Sequence, residues 1–313
     1  MELFLTNAGA AAKQVGILYV LVAIGFIAEK TNVFSRDTAK KANKLLFCIV
    51  TPFVIINSFL SMEFTAEKAK GLALAVLFAF LIHITAIILD IPFFNKLDPD
   101  DACVYKFGSI YGNVGYMALP LAGAILGEQG IFYCSAGVIA HNVMAFTHGV
   151  WLMNKSSGKN KFELKSIIIN PGVISVIIGL PLFIFSVNLP EIIQTPIDYI
   201  ASLNTPLAML ILGTYIANAD LKTLFSVKEQ YISALIKLIL NPAVMLVLFK
   251  VLKIDPVIAA ACTVSASAPS ANNSVMFSAM YDKDTAKASK NVAFSDLVSI
   301  ITMPVMIAAA QTL

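Results

Sequence analysis

Two asparagines stand out among the residues that could do chemistry. Asn113 lies in Tyr111-Gly112-Asn113-Val114-Gly115-Tyr116-Met117-Ala118-Leu119-Pro120, and Asn272 in Ser265-Ala266-Ser267-Ala268-Pro269-Ser270-Ala271-Asn272-Asn273. Each amide offers two donors and an acceptor. Both stretches sit inside hydrophobic segments long enough to cross a bilayer, yet they are rich in small, polar and proline residues that a lipid-facing helix avoids. A proline has no N–H to donate and drives the preceding residue out of the helical region. Pro120 and Pro269 are therefore read as the helix breaks, with unwinding at Leu119 and Ala268. The freed backbone groups cannot be left in hydrocarbon, so each break must be buried in protein or line a wet cavity. The half-helices that follow would point unpaired N–H groups and partial positive ends into that cavity, a setting suited to a carboxylate. The plainer reading is that both asparagines merely cap the resumed helices, and the two roles are compatible. Gly112, Gly115, Tyr116, Ser270, Asn273, Thr51 and Asn142 complete the candidate substrate contacts.

Titratable groups form a second set. Asp296 lies about two turns inside the last hydrophobic segment, where a carboxylate is costly and is a functional hypothesis by default. It could exchange a coupling proton, sit in a cation site or partner Lys237; the alternative is a solvated position near the segment end. His141 occupies the roughly equivalent place in the other half of the chain and is the second coupling candidate, with a satisfied structural histidine as its alternative. Lys237 and His83 are expected to snorkel toward the membrane surface, with attraction of an anion as the sharper alternative. Thr51-Pro52 and Thr205-Pro206 mark kinks where a hydroxyl can satisfy a freed carbonyl. Asn57 and Asn204 could line the same cavity or serve packing alone. Asp98-Pro99-Asp100-Asp101 reads as a solvated loop rather than a metal site. Cys48, Cys103, Cys134 and Cys262 show no paired spacing and read as small apolar fillers, so neither a metal site nor a disulfide framework is expected.

The elements that must hold these residues follow from composition. With 58% hydrophobic and 13% charged residues among 313, the chain reads as an all-α polytopic membrane protein. Its net charge of +3 is small and its basic residues are dispersed among loops, which argues against a nucleic-acid partner and leaves the lipid bilayer as surroundings. Glu2 precedes the first apolar run and Lys13 lies within it, without a basic start or a small-residue cleavage site, so the first helix is expected to be retained. Ten transmembrane helices are read, at about 11–28, 43–60, 71–94, 105–127, 130–153, 166–187, 197–218, 230–251, 256–280 and 290–311. Residues 154–165 form a polar linker between a first five-helix repeat, 1–153, and a second, 166–313. Lysine and arginine concentrate in the loops after segments one, three, five, seven and nine. The positive-inside rule then places the linker in the cytoplasm and both termini outside, in the plasma membrane.

Five segments per half means that the halves insert upside down relative to each other, a 5+5 inverted repeat. A shift of 154 positions superposes Val22-Ala23-Ile24-Gly25 on Val176-Ile177-Ile178-Gly179, Thr51-Pro52 on Thr205-Pro206, and His83 on Lys237. A further slip of five residues brings Asn113 onto Asn272. Segments four and nine are thus the pair of broken helices, the best sequence pointer to a transporter's binding site.

Asn43-Lys44-Leu45-Leu46-Phe47 leading into Thr51-Pro52, the Gly112–Leu121 stretch and the Pro269-centred stretch resemble the auxin efflux carrier family. That family includes bacterial malate and malonate permeases and the PIN-type auxin exporters, and is related to bile-acid sodium symporters. The resemblance spans essentially the whole chain, although the long cytoplasmic loop of many plant members is missing. It implies a scaffold of segments one, two, six and seven and a transport part of segments three to five and eight to ten, with four and nine crossing at their breaks. It also implies substrate contact by Asn113 and Asn272, an elevator-like movement and a homodimer.

The expected function is therefore secondary transport of a small organic anion, a mono- or dicarboxylate, by alternating access. No cofactor is expected; coupling to Na+ or H+ stays open. A sodium-coupled symporter of larger amphipathic acids is the alternative, with Ser265, Ser267, Ser270 and Asn273 as oxygen donors. An intramembrane enzyme would need a nucleophile or paired acids, and neither Gly-x-Ser-Gly nor Gly-x-Gly-Asp occurs. A channel would need repeated rings of charge, which are absent.

Overall fold

A computed structural model describes residues 2–154, 169–218 and 224–313. Most of the proposed linker 154–165 lies outside the described residues, as does the start of the sixth segment. Every regular element described is helical: α1 (Glu2–Lys30), α2 (Arg36–Leu60), α3 (Ala66–Asp90), α4 (Pro99–Ile110), α5 (114–126), α6 (128–154), α7 (Pro171–Ile184), α8 (Glu191–Ala217), α9 (Lys228–Leu252), α10 (Pro256–Ser267), α11 (Asn273–Met280) and α12 (Thr285–Ala310). Gly127, at φ 65° and ψ −154°, separates α5 from α6, a backbone setting that only glycine adopts without strain.

Seven of the described helices are long and apolar enough to cross a membrane. The run Val114–Asn154 is one of them, bent at Gly127, while Pro171–Ile184 and Pro256–Ser267 are apolar but shorter. Surface chemistry agrees with a membrane setting. Ile17, Val20, Ile24 and Ile27 point outward at helical spacing from α1, and Ile177, Val247 and Ile301 are likewise exposed, whereas asparagines and serines fill the interior. A water-soluble fold would not leave so much branched aliphatic surface uncovered.

Where helices touch closely, glycine permits it. A Cβ on Gly25 of α1 would collide with the Leu210 backbone of α8, and one on Gly213 of α8 with the Val22 carbonyl, so these two helices meet backbone to backbone. The C-terminal half of α2 packs against α7, and Gly179 admits the Phe59 ring there. α3 and α10 both pack on the 114–154 run, and α12 lies along α10 and α1.

Three of the prolines inside long helices follow a shared pattern. Wider π turns at Leu46–Val50, Val114–Ala118 and Ile236–Leu240 directly precede Thr51-Pro52, Leu119-Pro120 and Asn241-Pro242. A proline ring clashes with the carbonyl one turn back, and a local π turn re-routes that hydrogen bond without stopping the helix. Pro120 is therefore not a helix break. Leu119 is helical at φ −58° and ψ −50°, and the chain opens instead at Tyr111–Asn113.

The acidic cluster has a structural role. Asp98 caps α4 by accepting from Asp100 N, while Asp100 and Asp101 pair with Lys283 and Lys287, tying the start of α4 to the start of α12.

Candidate functional site

The floor of the site is made by two unwound stretches that satisfy each other. α4 ends at Ile110, Tyr111 is extended (φ −97°, ψ 113°), and helix resumes at Val114. α10 ends at Ser267, Ala268 is extended (φ −59°, ψ 138°) ahead of Pro269, and helix resumes at Asn273. Asn113 N donates to the Pro269 carbonyl at 2.7 Å and Ala271 N to the Tyr111 carbonyl at 2.9 Å, forming an isolated antiparallel bridge between Gly112 and Ser270. Two of the N–H groups and two of the carbonyls freed from these helices are thereby paired, as burial requires.

Above this bridge opens a cavity of about 660 Å³. Gly112, Asn113, Gly115, Tyr116, Asn272 and Asn273 line its floor, Thr51, His141 and Asn142 its walls. Of the sequence-chosen contacts only Ser270 is missing. Its hydroxyl donates to the Gly108 carbonyl at 2.7 Å and its N–H to Ser295 Oγ at 2.9 Å, so it locks the break from behind. Ser265 and Ser267 also lie off this cavity, leaving Asn273 as the one member of the sodium-ligand set that reaches it. The polar lining residues not singled out for the site by sequence are Lys40, Asn43, Lys44 and Asn170. The first three precede the hydrophobic core of α2, and Asn170 precedes α7, so no intramembrane polarity flagged them.

The two asparagines are not equivalent. Asn113 caps the resumed helix, its side-chain oxygen accepting from Tyr116 N at 3.3 Å, which leaves its NH2 group to donate elsewhere. Asn272 makes no cap hydrogen bond. Its neighbour Asn273 forms a hydrogen bond with His141, Nδ2 and Nε2 lying 3.0 Å apart. Asn142 is held between the Val138 carbonyl (2.8 Å) and Asn170 Nδ2 (2.9 Å), a cross-brace from α6 to the start of α7.

A second cavity, of about 310 Å³, continues along α2. Lys40 to Thr51 face the first cavity, Val54 and Asn57 the second, where Pro120, Asn204, Thr205, Glu128 and Asp198 also lie. Between them Thr51 Oγ1 donates to Asn204 Oδ1 at 3.5 Å. Asn57 and Asn204 thus line a separate space from the asparagine pair at the breaks, and Asn57 accepts from Gln194 at 2.8 Å.

Three titratable groups depart from expectation. Lys237 does not snorkel: it is 1% exposed, and its ammonium turns inward to the Ala266 carbonyl at 3.2 Å, because it lies on the α10-facing side of the π turn in α9. His83 is also buried, with Nδ1 against the Ala79 carbonyl at 2.7 Å. Asp296 is 1% exposed, which rules out the solvated-end position, and it has not paired with Lys237. Its Oδ1 has no hydrogen-bond partner among the described residues. All three histidines of the chain surround Tyr111: the rings of His83 and His141 lie 5.7 Å away, and Tyr111 Oη and His148 Nδ1 are 2.9 Å apart.

Exposed aliphatic side chains outside and a cavity over paired chain breaks inside describe a membrane-embedded protein with an internal site. A family model described as "Membrane transport protein" matches residues 10–307. The chain belongs to that family. As a member of this transport family it is a multi-pass membrane protein, and the auxin-efflux-carrier resemblance of its motifs falls within the same family. An uncharacterized transporter of Methanocaldococcus jannaschii is 24% identical over 296 residues, 92% of this chain and 94% of the relative. A protein of Rhizobium meliloti named "Putative malonate transporter" is 26% identical over 211 residues, 65% of each chain.

Proposed function

We propose that the protein is a secondary carrier of a small organic anion, a mono- or dicarboxylate, across the plasma membrane. The observation that carries this is the cavity floored by two paired chain breaks, with Asn113 and Asn272 at the N-terminal ends of the resumed helices. Those ends present free N–H groups and partial positive charge to one point, which recognises a carboxylate. The absence of any acidic residue from the walls described fits an anion, and the malonate name of one relative supports a dicarboxylate.

In this reading the ten segments form two inverted repeats of five, counting the run bent at Gly127 as two spans. Alternating access is supported by the two cavities strung along α2 on either side of the Thr51–Asn204 contact. The part carrying the breaks moves as an elevator against the scaffold, and the protein assembles as a homodimer. Asp296 and His141 serve coupling to Na+ or H+. Both termini are extracytoplasmic, so the larger cavity, with Lys40 and Lys44 at its rim, opens to the cytoplasm.

Uptake of radiolabelled malonate, malate, acetate and indole-3-acetate into proteoliposomes, with and without sodium and pH gradients, tests the function. Saturable uptake of at least one acid, competed by unlabelled acid, is expected; uptake of none sinks the reading. Orientation has its own test. A cysteine at Ser157, on a background without native cysteines, should resist an impermeant thiol reagent in intact cells, and ready labelling there would reverse the topology.

A further inference from the structure

The floor of the larger cavity hides a charge. Lys237 lies directly beneath Gly112: a Cβ built on that glycine would stand 2.6 Å from Lys237 Nζ and 2.7 Å from its Cε. Gly112 borders both the 660 Å³ cavity and a void of about 10 Å³ on its far side, which Lys237, His83 and Ser265 also line. Gly112 and Val114 are thus the residues shared by the void beside the ammonium and the cavity that Asn113 and Asn272 line, and at Gly112 no side chain intervenes. An ammonium carries three donors, yet among the described residues Lys237 has one hydrogen bond, to the Ala266 carbonyl, and no ion pair. His83 is the other titratable side chain at the void, and it is held on its own helix by Ala79. No carboxylate lines either space among the described residues. A buried charge without a counter-ion is unfavourable, and the fold supplies none.

We propose that Lys237 is the specificity-determining cation of the transport site: its missing counter-ion is the carboxylate of the substrate, bound over Gly112, the floor glycine against which the ammonium stands. The inference rests on the organic-anion reading and adds to it the source of charge selectivity. Helix ends and amides alone distinguish a carboxylate weakly from its neutral amide, whereas a full charge does so strongly. Two unit charges about 6 Å apart at an effective dielectric constant of about 20 attract enough for roughly a hundredfold in affinity. Glycine at 112 follows from the same arrangement, because any side chain there would push the ammonium off the site.

The test compares wild type with Lys237→Gln, which keeps a donor for the Ala266 carbonyl but no charge, and Lys237→Met, which keeps only the stem. Binding of malonate and acetate, and of malonamide and acetamide, is measured by calorimetry in detergent, with the melting temperature of each unliganded protein. Both variants should bind the acids about a hundredfold more weakly, bind the amides as wild type does, and melt no earlier. Acid binding unchanged in either variant overturns the inference and leaves the transport reading standing. Variants that fail to fold, or melt well below wild type, make Lys237 a strut for the end of α10 and also overturn it. Wild type that binds no acid removes the transport reading and this inference together.

Discussion

The two chain breaks under the cavity are built by different means. At Ala268–Asn272 a proline does the work: Pro269 has no N–H for the helix and holds Ala268 extended. At Tyr111–Asn113 there is no proline, and the residues before it, through Ile110, are helical without interruption. What opens the chain there is partnership, since Tyr111 O and Asn113 N each bond to the other break. One break is written into its own sequence, whereas the other is induced by the first. Pro120, in turn, shows that a proline need not break a helix when a π turn precedes it.

Several substitutions can dissolve or sharpen this distinction. The largest loss of stability is expected for Gly112→Val, because a side chain there meets Lys237 and the Ala268 carbonyl. Overpacking of this kind costs roughly 1–3 kcal/mol. Gly115→Ala is the control, with open space around its Cβ, and should be close to neutral. Melting curves in detergent decide, and equal stability of the two variants would mean that the bridge does not hold the break.

Next come the asparagines. If each amide donates to a bound carboxylate, Asn272→Ala and Asn113→Ala should each weaken binding by roughly 1.5–3 kcal/mol, about tenfold to more than a hundredfold. Only Asn113→Ala should also lower the melting temperature of the unliganded protein, through a lost cap worth about 1 kcal/mol. The double variant should fall short of additivity, since both groups hold one ligand. Normal binding in both singles would return the residues to capping and packing.

Asp296 probes what braces the proline break. Its neighbour Ser295 accepts the Ser270 N–H, so an ion-dependent change at Asp296 would reach that break directly and the other through the bridge. Asp296→Asn should flatten the sodium or pH dependence of uptake while expression and folding are kept; retained ion dependence removes Asp296 from coupling. The smallest effect is expected for Pro120→Ala, within about 0.5 kcal/mol of wild-type stability, because the helix already runs through that position. A large loss there would restore Pro120 as a determinant of the break.

Much of the site was legible before any coordinates. Asn113 and Asn272 stood out because amides within apolar segments must be paired or used, and Gly112, Gly115, Tyr116, Asn273, Thr51 and Asn142 followed by proximity in sequence or by repeat position. These residues do line one cavity. Ser270 shows the limit of that reasoning, since neighbours along a turn point in different directions and its hydroxyl turned to Gly108. Asn170 and Lys40 escaped notice because polar residues at segment ends are ordinary, and only helix packing brings them to one space.

Hydropathy and proline positions determined that the chain is helical, membrane-embedded and interrupted near Pro269, since these depend on local transfer energies and on one residue's missing N–H. Tertiary structure alone decided where the first interruption falls and which way Lys237 turns. Both depend on partners far away in sequence: the Tyr111–Asn113 opening exists because Pro269 and Ala271 complete its hydrogen bonds, and the ammonium points inward because Ala266 and a bare glycine leave it room.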